Sequence, residues 1–277
     1  MGPTAIIGCG TLGLRIALML ASAGGEVRLY NRTIEKAESG RRWVAAELSA
    51  LVASRPGAVA GQVVVAPTLA EAVAGTWLVV ESVAEHRDLK RAIFAELDRL
   101  APIDAVLASN SSSFPSSQLI DGVSRVERVV NTHFYMPPEL NVVEIMSCGR
   151  TDEAVIELLL RRLPTFGLEP FLVSKESMGF IFNRIWAALK REALAVVAEG
   201  VSNPQEVDRL FQILIGASAG PFRLMDKVGL DVALAIEEHY AAAFSGLPPG
   251  PRELLRRYVD QGWLGRKSGK GFYADYE

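Results

Sequence analysis

Two groups of residues have the types and spacing for chemistry. The first is a glycine turn: the apolar run Thr4-Ala5-Ile6-Ile7 breaks into Gly8-Cys9-Gly10-Thr11-Leu12-Gly13, and residues 14–20 continue with helical composition. Strand, glycine turn and helix in that order make a dinucleotide site, with Thr11 and Leu12 among its binding positions. Gly8 permits the tight turn, Gly10 lets the backbone approach a pyrophosphate, and Gly13 lets the helix pack close to the sheet, so that phosphates meet free N–H groups at the helix N-terminus. The second group is polar. Ser109-Asn110-Ser111-Ser112-Ser113 follows an expected strand at 105–108, and His133 follows another at 128–132, with Glu144 on the segment that returns towards it. A reversal at Met136-Pro137-Pro138 brings that carboxylate against the imidazole. Such a pair fixes the tautomer and raises the basicity of His133, which can then take a hydroxyl proton during a hydride transfer and return it in reverse.

The cofactor end of the first group has its own signature. The second strand, at 26–30, ends at Asn31-Arg32-Thr33, where such folds place the residue that reads the adenosine ribose. Sites selective for NAD usually carry a carboxylate there, and here it is missing. Asn31 is neutral, Arg32 offers a cationic fork suited to phosphate, and the Thr33 hydroxyl adds a donor. The cofactor is therefore read as NAD(P), with NADP(H) or dual use favoured over strict NAD. Asn31 and Thr33 also suit an N-cap of the helix that starts near Ile34, and the two roles are compatible.

The elements that position these groups follow from pattern. Apolar β-rich runs at 62–65, 77–80 and 105–108 alternate with helical segments, which predicts a parallel sheet with right-handed crossovers. Leu89, Ile93, Phe94, Leu97 and Leu100 fall at helical spacing in one crossover, closed by Pro102. Further runs at 128–132 and 141–146 flank the proline-containing connection, Thr151 with Asp152 and Glu153 opens a helix, and residues 169–173 complete the sheet. After Ser174 the composition becomes helical, with helices expected over 178–199, 205–215, 231–243 and 251–261. The fold class is α/β: a Rossmann-type doubly wound sheet domain at 1–174, then an all-α domain at 175–277. The cationic turn Gly265-Arg266-Lys267-Ser268-Gly269-Lys270-Gly271-Phe272-Tyr273 reads either as a solvated tail capping a helix or as a ligand contact.

Composition limits the classes of function. At 277 residues and 49% hydrophobic, the chain can build two cores. Its net charge of −3, with basic residues scattered, argues against nucleic acid as a partner. Two cysteines, Cys9 and Cys148, form no metal-ligand spacing, so no metal is expected and a reducing cytoplasm fits. The first residues read as a buried strand rather than a signal peptide, and no apolar stretch reaches the length of a membrane span.

The chain resembles the L-3-hydroxyacyl-CoA dehydrogenase family, which also contains relatives acting on free hydroxy acids such as gulonate and carnitine. The resemblance covers nearly the whole length. It runs through the glycine turn, Val79-Val80-Glu81-Ser82-Val83-Ala84-Glu85, the serine-rich segment 109–113, His133-Phe134-Tyr135, Val143-Glu144, Gly179-Phe180-Ile181-Phe182-Asn183-Arg184, residues 220–231 and the final Gly-Lys-Gly-Phe-Tyr. It implies that His133 is the general acid/base and Glu144 its orienting partner. Ser112 and Asn183 would hydrogen-bond the substrate oxygen or acyl portion, Asn110 would position nicotinamide and substrate, and Glu85 and Lys90 would contact the nicotinamide side. It also implies an acyl-CoA substrate and a homodimer through the C-terminal helices. Structural alternatives stand beside these roles: Asn183 as a helix cap or bridge, Lys90 as a solvated helix residue, the serines as turn formers. Two departures bear on substrate. Met136-Pro137-Pro138-Glu139-Leu140-Asn141 replaces the family's common Asn-Pro-Val-Pro loop and is one residue shorter, and residues 39–61, often lysine-rich in relatives where they contact the CoA phosphate, offer only Arg41, Arg42 and Arg55. A free hydroxy acid is thus the alternative substrate, and a non-catalytic, crystallin-like dinucleotide-binding protein the third reading.

Overall fold

The computed structural model describes residues 2–276. By contacts the chain divides into two compact units, Met1–Ile181 and Phe182–Glu277, whereas composition alone changes near Ser174.

The first unit is built on one eight-stranded sheet. Its strands are β1 (Thr4–Ile7), β2 (Glu26–Tyr30), β3 (Gln62–Val65), β4 (Leu78–Glu81), β5 (Val106–Ser109), β6 (Val129–Met136), β7 (Leu140–Ser147) and β8 (Glu169–Val173), in the order β3-β2-β1-β4-β5-β6-β7-β8. The first six run parallel, with helices α1 (Thr11–Ala21), α2 (Ile34–Ser54), α3 (Leu69–Val73) and α4 (Arg87–Leu100) as crossovers. Alternation along the strands feeds two cores. Ile6, Leu29, Val80, Ala108 and Phe134 face α1, α2 and α5 (Glu153–Arg162), while Ala5, Ile7, Val79 and Leu107 pack with Phe94 and Leu97 of α4. Helices on both faces of a parallel sheet require strands that are buried on both sides, and β1, β4 and β5 are buried throughout.

The sheet is not parallel to its edge. β7 pairs antiparallel with β6, and β8 runs parallel to β7. The connection between Met136 and Leu140 is too short for a crossover, so the chain must turn back as a hairpin. His133 consequently lies within β6 rather than at its end, directly opposite Glu144. The hairpin is irregular: register shifts between Phe134 and Met136, and the Pro137–Pro138 bond is cis.

The second unit contains α6 (Phe182–Ala198), α7 (Pro204–Ile215), α8 (Pro221–Val228), α9 (Leu230–Ala243) and α10 (Gly250–Val259). Leu194, Phe222, Met225, Leu230, Leu255 and Phe272 form its core. Residues 178–181, expected to begin a helix, instead form a turn with Gly179 and Phe180 at positive φ, and α8 is a helix that periodicity alone did not mark out. The cationic C-terminal turn is exposed over residues 266–270 and is tied to the helical unit by its side chains and backbone. Lys267 pairs with Asp231, Lys270 lies 3.6 Å over the Trp263 ring, and buried Asp226 accepts from the Phe272 and Tyr273 N–H groups and the Tyr276 hydroxyl. Gly271 is needed there, because a Cβ would sit 2.2 Å from an Asp226 carboxylate oxygen.

Candidate active site

The glycine turn has the form a pyrophosphate requires. Gly8 has φ of 109°, and a Cβ on it would lie 2.5 Å from the Ser82 carbonyl oxygen at the end of β4. A Cβ on Gly13 would lie 2.2 Å from the Gly8 oxygen, so the helix approaches the turn only because that carbon is absent. A Cβ on Gly10 meets nothing within 4 Å, which leaves the mouth of the turn open. The first helical bond is Leu14 N–H to the Gly10 carbonyl, and the Thr11, Leu12 and Gly13 N–H groups have no intrahelical acceptor. These residues fit a dinucleotide phosphate.

At the adenosine end the sequence reading is refined. Asn31 spends its amide on the turn itself, accepting from Cys9 N–H at 3.3 Å and donating to the Thr33 carbonyl at 3.1 Å. Thr33 occupies the N-cap position of α2, but its side chain makes no cap bond, and the side-chain capping expected of Asn31 and Thr33 does not occur. Arg32 is exposed and makes no ion pair among the described residues. Burial pushes the Cys9 thiol up to about 11, against a smaller opposing pull from the Lys36 cation.

Past the ends of β4 and β5 lies a polar network that the sequence only half disclosed. Glu81, fully buried, accepts from the Val83 N–H at 2.8 Å, the Lys90 ammonium at 2.7 Å and the Ser109 hydroxyl at 2.8 Å. Lys90 is 1% exposed and also reaches Glu85 at 3.2 Å, so it is not a solvated helix residue. Glu85 accepts from the Ser111 hydroxyl and the Ser113 N–H. Burial alone would raise the Glu85 carboxyl, but the Ser111 bond, the Lys90 charge and the Ser113 N–H together hold it below the usual carboxylate range. Ser111 acts as a turn former towards Phe114 N–H as well, while Ser112 stays exposed. Asn110 donates to Ser82 Oγ and accepts from Phe134 N–H at 3.0 Å, linking β5 to the His133 strand. Glu81 carried no signal of its own, since a carboxylate closing an apolar strand is visible as a network centre only once Lys90 and Ser109 are beside it.

His133 is 7% exposed, and its Nδ1 lies 3.0 Å from Glu144 Oε2. The same oxygen accepts from the Tyr135 hydroxyl at 2.9 Å, and Oε1 accepts from the Ile181 N–H at 2.9 Å. Burial, the Glu144 bond and its charge all push the Tyr135 hydroxyl upward, so it remains a donor. Phe180 stacks on the imidazole at 4.8 Å and 25°. Its φ of 55° is an uncommon conformation for an aromatic residue, and such strain persists where surroundings impose it. With Nδ1 donating to the carboxylate, Nε2 is the basic nitrogen. Asn183 belongs to the second unit, in the first turn of α6. Of the arginines proposed for phosphate, Arg55 is committed elsewhere, donating to the Phe166 and Ser22 carbonyls; Arg41 is exposed, as is Arg42, 3.9 Å from Glu38.

Among the described residues no group of three or more His, Cys, Asp or Glu side chains could hold a metal ion, and no helix is long and apolar enough to cross a membrane. A glycine turn at the edge of a doubly wound sheet, with a buried histidine–carboxylate pair on a neighbouring hairpin, defines a nicotinamide dinucleotide-binding dehydrogenase. Residues 3–177 match the family model of the 3-hydroxyacyl-CoA dehydrogenase NAD binding domain, and 179–275 that of the 3-hydroxyacyl-CoA dehydrogenase C-terminal domain. The chain belongs to the 3-hydroxyacyl-CoA dehydrogenase family. It is 33% identical over 279 residues to a 3-hydroxybutyryl-CoA dehydrogenase of Bradyrhizobium diazoefficiens, covering 98% of this chain and 94% of the relative. It is 32% identical to a 5-formyl-3-hydroxy-2-methylpyridine 4-carboxylate 5-dehydrogenase of Mesorhizobium japonicum, covering 98% and 89%. The crystal structure of (S)-3-hydroxybutyryl-CoA dehydrogenase from Ralstonia eutropha superposes with a TM-score of 0.89 at 29% identity, covering 100% of this chain and 99% of that one.

Proposed function

We propose that this oxidoreductase interconverts an L-3-hydroxyacyl-CoA and a 3-oxoacyl-CoA, with His133 as general acid/base. The observation that carries the reading is the 3.0 Å contact of His133 Nδ1 with Glu144, which leaves Nε2 as the proton acceptor. The nicotinamide ring, when bound, supplies the hydride acceptor or donor. His133 takes the C3 hydroxyl proton in oxidation and returns it in reduction, and Glu144, held by Tyr135 and Ile181, stabilises the imidazolium between the two. Ser112 and Asn183 hold the substrate oxygen or acyl portion. Asn110, Glu85 and Lys90 order the nicotinamide side, Lys90 through its ion pair with Glu85 and Glu81. Gly8, Gly10, Thr11, Leu12 and Gly13 hold the pyrophosphate. Arg32 faces the adenosine ribose and accepts a 2′-phosphate, so NADP(H) is used at least as well as NAD(H). The protein is a cytoplasmic homodimer, a reading supported by its two free, buried cysteines and by the exposed apolar row on α7.

A free hydroxy acid is the second reading. It is favoured by the engagement of Arg55 in backbone contacts, and a family relative is named for a pyridine carboxylate rather than a thioester. An assay at 340 nm of acetoacetyl-CoA reduction with NADPH and with NADH, against free acetoacetate, separates them. Turnover of the thioester with NADPH at least matching NADH is expected. Turnover of the free acid alone replaces the CoA reading, and a strong preference for NADH removes Arg32 from the cofactor site.

A further inference from the structure

We propose that Arg15 is a positioning residue that ties the hairpin carrying His133 and Glu144 to the helix of the glycine turn; the chemical part of this rests on the function proposed above. Arg15 lies on α1, two residues past the Gly10-Thr11-Leu12-Gly13 turn. Its Nη1 donates to the Pro137 carbonyl at 2.8 Å and pairs with the Glu139 carboxylate. Both acceptors sit at the tip of the β6–β7 hairpin.

The tip needs an external hold. Pro137 and Pro138 have no N–H, so two of the three residues of the turn cannot donate to a ladder. Register breaks between Phe134 and Met136, and the ladder from Phe134–Val143 and His133–Glu144 does not run unbroken to the Met136–Leu140 pair. The residue at the break is Tyr135, whose hydroxyl shares Glu144 Oε2 with His133. Movement of the tip therefore reaches the imidazole through Tyr135 rather than being absorbed by paired strand. Arg15 anchors the tip, and it does so from α1, whose first turn is the phosphate-binding end. The arrangement does not best satisfy the guanidinium, because Nε is buried without an acceptor among the described residues. One cation thus fixes the distance between the base and the dinucleotide turn, which hydride transfer requires to be constant.

Two readouts test this, one of which needs no substrate. In the Arg15→Met protein, amide hydrogen exchange in peptides spanning 134–145 should quicken about tenfold or more, as expected for loss of a charge-assisted hydrogen bond. With acetoacetyl-CoA and 4-deuterated NADPH, kcat should fall and the primary isotope effect on kcat should grow, because the hydride step becomes limiting; a loss of folded enzyme lowers kcat without moving the isotope effect. Arg15→Lys, which keeps a cationic donor, should restore both in part. Should Arg15→Met not fold, Glu139→Gln at an exposed position carries the same comparison, with a smaller effect because the Pro137 bond remains. Unchanged exchange overturns the clamp whether or not acetoacetyl-CoA is a substrate. Faster exchange with unchanged kcat and isotope effect overturns the positioning role. Wild-type enzyme inert towards acetoacetyl-CoA counts against the proposed substrate, and the exchange comparison then decides the clamp by itself.

Discussion

His133 is restrained on three sides, by Glu144 at Nδ1, by Tyr135 at 4.7 Å and by Phe180 at 4.8 Å between ring centres. That confinement holds the imidazole in the orientation that the base role proposed for it would need. Tyr135→Phe removes one of the donors on Glu144 Oε2 but leaves the ring, so kcat should fall modestly, by less than the His133 substitution, with KM for the cofactor unchanged; a steady-state comparison checks this. The pairing of His133 with Glu144 was legible in the sequence because a proline-marked reversal sets opposite residues against each other. Phe180 and the Ile181 N–H were not, since their part depends on a left-handed turn that interrupts an apparently helical stretch. Cys9 illustrates the effect of burial on a reactive group. With its thiol pushed up to about 11, it is protonated and shielded, so native protein at pH 8 should leave Cys9 unmodified by a thiol reagent until denaturant is added. Rapid modification of native Cys9, located by peptide mapping, would contradict the packing of the glycine turn.

Among the elements, strands announce themselves best. β1 to β5 are short apolar runs bounded by turn residues, and their sites at the carboxyl edge follow from right-handed crossovers. The reversal that turns β7 back beside β6 was marked by the prolines, but the register break at Tyr135 was not, because pattern gives a strand but not its register. The crossover helix α4 ends in an ion pair that pattern also hid: Asp98 Oδ1 lies 2.9 Å from Arg128 and Oδ2 accepts from the Ser124 N–H. Burial alone would raise the Asp98 carboxyl, yet the Ser124 bond and Arg128 hold it below its ordinary range. A depressed carboxyl adds stability that is complete above the unfolded value and disappears as pH falls through the folded one. Thermal scans between pH 6 and pH 3 should therefore show wild-type Tm falling through the acid range below about pH 4, and Asp98→Asn should flatten that limb. At neutral pH, Asp98→Ala leaves Arg128 buried without its partner and should cost about 3–5 kcal/mol in denaturant unfolding.

On the scale of the whole molecule, the helical unit leaves a surface that its own fold does not use. In α7 the buried residue is Asp208, which accepts from the Phe222 and Arg223 N–H groups, while Leu210, Ile213 and Leu214 line an exposed row at helical spacing, Leu214 being 72% exposed. An exposed apolar stripe of this kind is the surface that the homodimer proposed above would cover. Leu214→Glu should shift the sedimentation mass from dimer towards monomer, and a dimer that withstands the charge would place the interface elsewhere. The proposed reaction rests on one side chain. The most direct test is kcat for acetoacetyl-CoA reduction by His133→Gln, with folding checked by circular dichroism and NADPH binding by fluorescence titration. The account predicts a loss of about 10²- to 10⁴-fold in kcat with cofactor affinity retained. Near-normal turnover by the folded variant would contradict it.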